Sequence, residues 1–254
     1  MQNRLITFNL KMGILHLVQG TAILILALTV DTFKDFRPTI FGRFFEVFED
    51  GTYAPATQVL FDLPFGVMVA LFLLLSALFH FLIAFPFKTQ YLGWVKRGIN
   101  PLRWYEYALS SSLMIVLLAA LFGLLTIEAV ILIFLINASM NLFGLLMEKM
   151  NRPDRKETDW SAHWFGWVAG LAPWLMILIY LFGNSDLSQL PWFVFPGLIF
   201  YFVTFNLFAL NQYLQYKKIG RWQDYAYGER MYVWLSLFGK SILAWVVFLG
   251  ILLA

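Results

Sequence analysis

The sequence has no cysteine, so a disulfide, a thiolate metal site and a cysteine nucleophile are all excluded. It has three histidines, His16, His80 and His163, which leaves little room for an all-protein metal centre, and no third ligand stands near His16 and His80. Charge is scarce. Asp, Glu, Lys and Arg make up 13% of the residues, against 61% hydrophobic. An ordinary soluble domain is about one-quarter charged, so this composition belongs to an integral membrane protein, with the lipid bilayer as its first partner. The formal net charge of +3 is small and requires no nucleic-acid partner. No repeat of about 20–50 residues is visible, which sets aside solenoids and propellers. No diiron, haem or nucleotide motif occurs, and no catalytic triad can be assembled, so the chain does not read as an enzyme. The first apolar run carries Lys11 and His16 and lacks a small-x-small cleavage pattern, so it reads as a retained helix rather than a signal peptide.

What the chain does have is long apolar runs. Seven are visible, at about Thr7–Val30, Asp62–Phe85, Pro101–Phe122, Thr126–Lys149, Ser161–Phe182, Pro191–Tyr216 and Glu229–Ala254. A helix rising 1.5 Å per residue needs about 20 residues to cross roughly 30 Å of hydrocarbon, and each run is long enough. The fold expected is all-α, a seven-transmembrane helix bundle forming one domain over residues 1–254. Asp62 and Pro64 read as start signals for the second helix and Pro86 as its stop. Pro173 and Pro196 fall inside the fifth and sixth helices and predict kinks. Fourteen lysines and arginines lie on the side of the N-terminus, among them Lys88, Arg97, Lys149, Lys156, Lys217 and Arg230; Lys34, Arg37 and Arg43 are the three on the other side. The positive-inside bias therefore puts the N-terminus in the cytoplasm and the C-terminus outside a cell membrane. In the long external loop, about 31–61, Asp50–Gly51 stands between apolar-rich arms and predicts a β-ribbon, with its phenylalanines capping the bundle.

The eighteenth basic residue, Lys240, lies near the middle of the last apolar run, ten residues from Arg230. An ammonium at that depth costs about 3 kcal/mol on insertion scales. Snorkelling to the surface is strained over roughly 15 Å. Such a lysine needs a buried anion, a cavity or covalent conversion, and desolvated lysines are the ones that condense with carbonyl compounds. Snorkelling or a purely structural ion pair remains the simpler reading of the residue alone. Ser236, one helical turn earlier, can offer a hydroxyl to the amine. In the third helix Glu106 is the candidate anion, with Ser110 one turn deeper. Arg103 shares that face, and hydropathy alone slightly favours an interfacial Arg103–Glu106 pair.

His16 and Gln19 in the first helix and Ser76 and His80 in the second fall in the same half of the bundle. Tyr91 and Asn100 bracket the basic second loop on that side. These groups either gather in one polar cavity or each find a separate interhelical hydrogen bond. Asn137 and Met140, Trp164 and Trp167, Gly170, Phe205 and Phe208 can line a flat slot, but side chains of these types more often serve packing.

Several of these stretches together resemble the heliorhodopsins, the inverted branch of the microbial rhodopsins. The matching pieces are His16–Gln19, Ser76–Phe81, Arg103–Tyr107 with Ser110–Ser112, Asn137–Met140, Gln212–Lys217, Gly228–Arg230, Ser236 through Lys240 and Ser241, and Ala244–Trp245. They run in order over nearly the whole chain. The resemblance implies a rhodopsin-like bundle with all-trans-retinal bound to Lys240 as a protonated Schiff base and Glu106 as its counterion. It implies Ser236 and Ser110 beside the Schiff base and a pocket of Ser111, Met114, Asn137, Met140, Trp164, Phe205 and Phe208. It further implies a cytoplasmic-side cavity lined by His16, Gln19, Ser76, His80, Tyr91, Asn100 and Trp245, and a homodimer.

Pumping rhodopsins commonly carry a second carboxylate one turn before the lysine and another three turns past the counterion. Here those positions hold Ser236 and Leu117. The expected activity is therefore photosensory, without net ion transport, signalling to an unidentified cytoplasmic partner. The histidines His16 and His80 are candidates for transient proton uptake. A light-driven transporter, a retinal-independent transporter or receptor with a structural Lys240–Glu106 bridge, and a light-regulated scaffold for a cytoplasmic enzyme are the alternatives.

Overall fold

A computed structural model describes residues 2–152, 155–183, 192 and 194–253. Seven of its helices are long and apolar enough to cross a membrane. They are α1 (Gln2–Thr29), α3 (Phe65–Ala84), α5 (Pro101–Leu121), α6 (Ile127–Met150), α7 (Ser161–Gly183), α8 (Val194–Tyr216) and α9 (Tyr225–Leu253). Two short helices, α2 (Asp31–Asp35) and α4 (Lys88–Lys96), and one antiparallel ribbon, β1 (Thr39–Val47) with β2 (Tyr53–Asp62), join them. Packing runs around a ring: α1 on α3, α3 on α5, α5 on α6, α6 on α7, and α8 on α9, which returns to α1 and α3. Contact between α7 and α8 is slight.

The outward faces are apolar. Val18, Leu28, Val168, Ile179 and Ile199 are all exposed, as the lipid-facing side of a bundle requires. Inside, at the end nearer the ribbon, Ile23, Phe65, Phe72, Leu73, Leu117, Leu124, Ile177 and Phe248 form one close-packed cluster. In lipid such a cluster is held by van der Waals fit rather than by expulsion of water, which puts a premium on close approach. Gly144 shows this: a Cβ there would lie 2.2 Å from the Trp104 ring, so only glycine lets α6 settle on α5 at that level.

The helix ends explain where the expected boundaries moved. Asn100 caps α5 by accepting from the Arg103 amide at 3.3 Å, with Pro101 in the first position. The last helix starts four residues earlier than its apolar run, at Tyr225, because Asp224 accepts from the Ala226 amide at 3.0 Å. Asp62 does not start α3. It closes β2 and accepts from Thr39 Oγ1 at 2.7 Å, and the helix begins behind Pro64. The described part of α8 opens at Val194 and contains Pro196. The expected start of that helix at Pro191 lies outside the described residues. Pro173 is inside α7 as expected. The basic second loop contains a helix, α4, seated by Tyr91 among Leu5, Ile6, Ile83 and Ala84.

The ribbon is present and longer than expected. Its register runs from Thr39 opposite Asp62 to Val47 opposite Tyr53, with a bulge between Ile40 and Phe41. The turn at Asp50–Gly51 uses a positive φ of 77° at Gly51, and Asp50 Oδ1 accepts from the Thr52 amide and hydroxyl. Its base is what meets the bundle: Phe41 N donates to Leu125 O at 2.9 Å, and Ile40 is buried. Further out, Phe44, Phe45, Val47, Phe48 and Tyr53 are exposed. Those phenylalanines do not cap the bundle, because the strands lead them away from it.

Candidate functional site

Lys240 is 3% exposed, and its partners come from two neighbouring helices and its own. Its Nζ lies 2.5 Å from Glu106 Oε1 of α5, 2.7 Å from Ser76 Oγ of α3 and 3.0 Å from Ser236 Oγ of α9. Glu106 Oε1 also accepts from Ser76 Oγ at 2.6 Å and from Ser110 Oγ at 2.7 Å. The Tyr107 ring lies 5.2 Å from the ammonium. Burying two charges is costly, and a buried pair persists only where geometry and further donors compensate. Here two serine hydroxyls supply that compensation at the carboxylate. Ser76 therefore takes part in the ion pair as well as lining the polar cavity expected for it.

Arg103 does not pair with Glu106. Its two terminal nitrogens donate to Glu148 of α6 and Glu229 of α9, and all three side chains are buried. The guanidinium lies 3.9 Å over the Tyr232 ring. Tyr225 OH and the Asn100 amide donate to Glu148 at 2.8 and 2.9 Å, and Asn100 Nδ2 donates to Glu229 at 2.5 Å. Tyr91 OH also reaches Glu229 Oε1 at 3.4 Å and accepts from Asn9 Nδ2. Burial pushes the Tyr91 hydroxyl up to about 12, against the opposing pull of the Asn9 hydrogen bond and the Arg103 charge.

A small polar cavity of about 20 Å³ joins the two clusters, with Ser76, Glu106 and Ser236 on its wall together with Asn9, His80, Asn100, Arg103 and Glu229. His80 Nδ1 is 2.8 Å from Asn9 Oδ1. His16 stacks on His80 with centroids 5.6 Å apart, and both of its ring nitrogens are buried without a protein partner. Among the described residues no three His, Cys, Asp or Glu side chains come together as metal ligands.

On the other side of Lys240 lies an apolar cavity of about 90 Å³. Ser111, Met114, Met140, Tyr107, Trp174, Tyr201, Phe205 and Phe208 line it, with Gly239 and Leu243. A second space of about 80 Å³ adjoins it through Met140, Trp174, Phe205 and Phe208 and continues along Gly166, Trp167 and Gly170. A Cβ at Gly170 would meet Met140 Sδ at 2.7 Å, so a side chain there would displace the flexible end of Met140 from its place in the slot. An amine at the head of a long apolar slot walled by aromatics and methionines fits a conjugated apolar aldehyde.

The Heliorhodopsin family model matches residues 5–252. The chain belongs to the heliorhodopsin family. No curated protein matches it. The heliorhodopsins are retinal-binding microbial rhodopsins, a membrane photoreceptor family rather than a classical enzyme family. With seven spanning helices, this heliorhodopsin is a multi-pass integral membrane protein in a lipid environment.

Against the residues expected from sequence, the structure of this heliorhodopsin brings most together. Lys240, Glu106, Ser236 and Ser110 meet directly. Ser111, Met114, Met140, Phe205 and Phe208 line the apolar slot. Asn137 stands behind the wall, donating to Ser111 Oγ and Ser112 Oγ at 3.0 Å. Trp164 is not on the wall at all: it is 57% exposed, and Trp167, three residues on, faces inward. Gln19 and Trp245 bond to each other at 3.1 Å on an exposed seam, outside the lining of the polar cavity. Asn9, Glu148 and Glu229 were not expected. A buried Arg103 with no free carboxylate on its own helix was the available signal for the two glutamates.

Proposed function

We propose that this protein is a photosensory receptor, one seven-helix domain carrying all-trans-retinal on Lys240 with Glu106 as counterion and transporting no ion on balance. The observation that carries the reading is the buried Lys240–Glu106 pair at 2.5 Å, placed at the head of the apolar slot. Bound at Lys240 Nζ, retinal supplies visible absorption and a light-driven change of shape. The residues do the rest. Glu106 holds the positive charge at Nζ and so sets the colour, while Ser76, Ser110 and Ser236 fix the proton's direction. Met114, Met140, Trp174, Phe205 and Phe208 hold the chain of the ligand and exclude water.

The absence of transport is supported by where buried charge lies. Among the described residues the buried charged side chains are Arg103, Glu106, Glu148, Glu229 and Lys240, and none stands on the ribbon side of Lys240. That half is filled by Leu117, Leu118, Phe72 and their neighbours, which offer a proton no stepping stone. The lysine and arginine bias supports a cytoplasmic N-terminus and an external ribbon. The exposed apolar residues of the ribbon support a homodimer, and the basic end is where a cytoplasmic signalling partner would bind. Illumination of cells containing the retinal-loaded protein should leave the pH of an unbuffered suspension unchanged. A light-driven pH change abolished by a protonophore would instead make it a transporter.

A further inference from the structure

We propose that Glu229 accepts the proton that leaves Lys240 Nζ on illumination, while Arg103 exchanges Glu229 for Glu106. The proposal rests on the retinal-carrying role given to Lys240 above.

The buried charges among the described residues are two cations and three anions. Lys240 pairs with Glu106, and Arg103 is shared by Glu148 and Glu229, so the excess of negative charge sits at the Arg103 end. A proton arriving at His80 or His16 would create a new buried cation. Arriving at Glu229 it removes a buried anion, which is the cheaper outcome in a low-dielectric interior. The polar cavity offers the route, because Glu106 and Ser236 line it together with Arg103, Asn100 and Glu229. With about 20 Å³ of free space it has room for about one water, which can bridge the transfer of a proton.

The transfer breaks the N–H bond at Nζ and forms an O–H bond at Glu229, with no oxidant or reductant. Glu106 is then left without its cation. Arg103 stands three residues before Glu106 on the same face of α5 and lines the same cavity. Its Nη1 turns from Glu229 to Glu106 while Nη2 stays on Glu148, so each remaining buried anion touches the guanidinium and the net charge of the interior is unchanged. At Glu229 Oε1 the other neighbours are Asn100 Nδ2 at 2.5 Å and Tyr91 OH at 3.4 Å. The tyrosine hydroxyl can turn from donor to acceptor and receive the new O–H. The remaining titratable groups around the guanidinium are Tyr225 on Glu148, Tyr232 beneath it, the buried Tyr216 near Glu148, and Tyr107, whose hydroxyl donates to Tyr232 O. The exchange unfastens the start of α9 from α5 and disturbs α4 through Tyr91, both at the basic end.

Time-resolved infrared difference spectroscopy of the retinal-loaded protein in lipid tests the first half. The wild type should gain a protonated-carboxyl band as the Nζ proton is lost. Glu229→Gln should lack that band and slow the proton loss by about a hundredfold, the scale of a missing proton-transfer partner. Glu128→Gln, at the exposed start of α6, should behave as wild type. A visible dark band certifies that each variant folds. A carboxyl band that persists in Glu229→Gln, or an unchanged rate there with loss of the step in the double variant His16→Ala, His80→Ala, overturns the proposal. The second half is tested without chromophore. Amide hydrogen exchange at Gly228–Met231 and in α4 should rise severalfold in Lys240→Met relative to retinal-free wild type, and Lys240→Arg should restore it. Unchanged exchange in Lys240→Met overturns the Arg103 exchange. A wild type that takes up retinal without colour would instead remove the reading on which the proposal rests.

Discussion

Ser76 Oγ donates to Glu106 Oε1 at 2.6 Å from a neighbouring helix, and the same oxygen lies 2.7 Å from Lys240 Nζ. The hydroxyl therefore sits between the two charges and takes part in setting how tightly the carboxylate holds the positive charge at Nζ. Ser76→Ala removes one donor from Glu106 and should shift the visible band by less than Glu106→Gln, which removes the negative charge altogether and should shift it strongly to the red. Acid titration of the wild type should reproduce the same red shift as Glu106 is protonated. Absorption spectra of the two variants at neutral pH check both statements.

Arg103 is the sole cation bonded to Glu148 and Glu229 among the described residues. Replacing it by glutamine leaves two buried carboxylates without a counter-charge. Breaking a buried ion pair from one side costs about 3–5 kcal/mol, because the desolvation penalty stays while the attraction goes. Thermal melting of the retinal-free protein in detergent should fall accordingly, and Arg103→Lys should recover only part of the loss, since one ammonium cannot fork to both acids.

Gly144 faces the Trp104 ring at a distance where a Cβ has no room. Gly144→Ala should cost about 1–3 kcal/mol through overpacking. Gly144→Ala combined with Trp104→Phe should recover stability, because the smaller ring retreats from the new methyl. Melting temperatures of the single and double variants measure that coupling.

Tyr91 gives a pH dependence. Its hydroxyl, pushed up to about 12 by burial, keeps in the folded protein a proton that the unfolded chain releases near 10. The contribution of Tyr91 to the docking of α4 is therefore fully present below about pH 10 and is lost as pH rises toward about 12. Hydrogen exchange of residues 88–96 should accelerate over that window, and Tyr91→Phe should remove this part of the dependence.

How much of this was legible beforehand follows from how each residue signals itself. Seven apolar runs announce seven helices because the bilayer imposes a minimum length. Lys240 announces itself because an amine in hydrocarbon is expensive. Glu106 sits only one turn inside its helix, and spacing alone left it as free to pair with Arg103 as with Lys240. The choice was made by Glu148 and Glu229, which occupy Arg103 from helices far away in sequence. Glu229 was hidden for a local reason: Asp224 starts α9 one turn earlier than the apolar run does, which carries Glu229 inward from the apparent helix end. Trp164 and Trp167 are equally aromatic and three residues apart, and only the rotation of α7 against α6 decides which one faces the slot. The ribbon was readable from Asp50–Gly51, but its direction away from the helices was not, because that depends on the seat of Ile40 and Phe41 on the α5–α6 turn.

The central claim is that Lys240 Nζ carries retinal. It is tested most directly by titrating purified retinal-free protein with all-trans-retinal and recording the visible spectrum, then repeating the titration with Lys240→Ala. A red-shifted band that saturates at one retinal per chain in the wild type and is missing in Lys240→Ala is the predicted result. A wild type that stays colourless, or a Lys240→Ala variant that develops the same band, would contradict it.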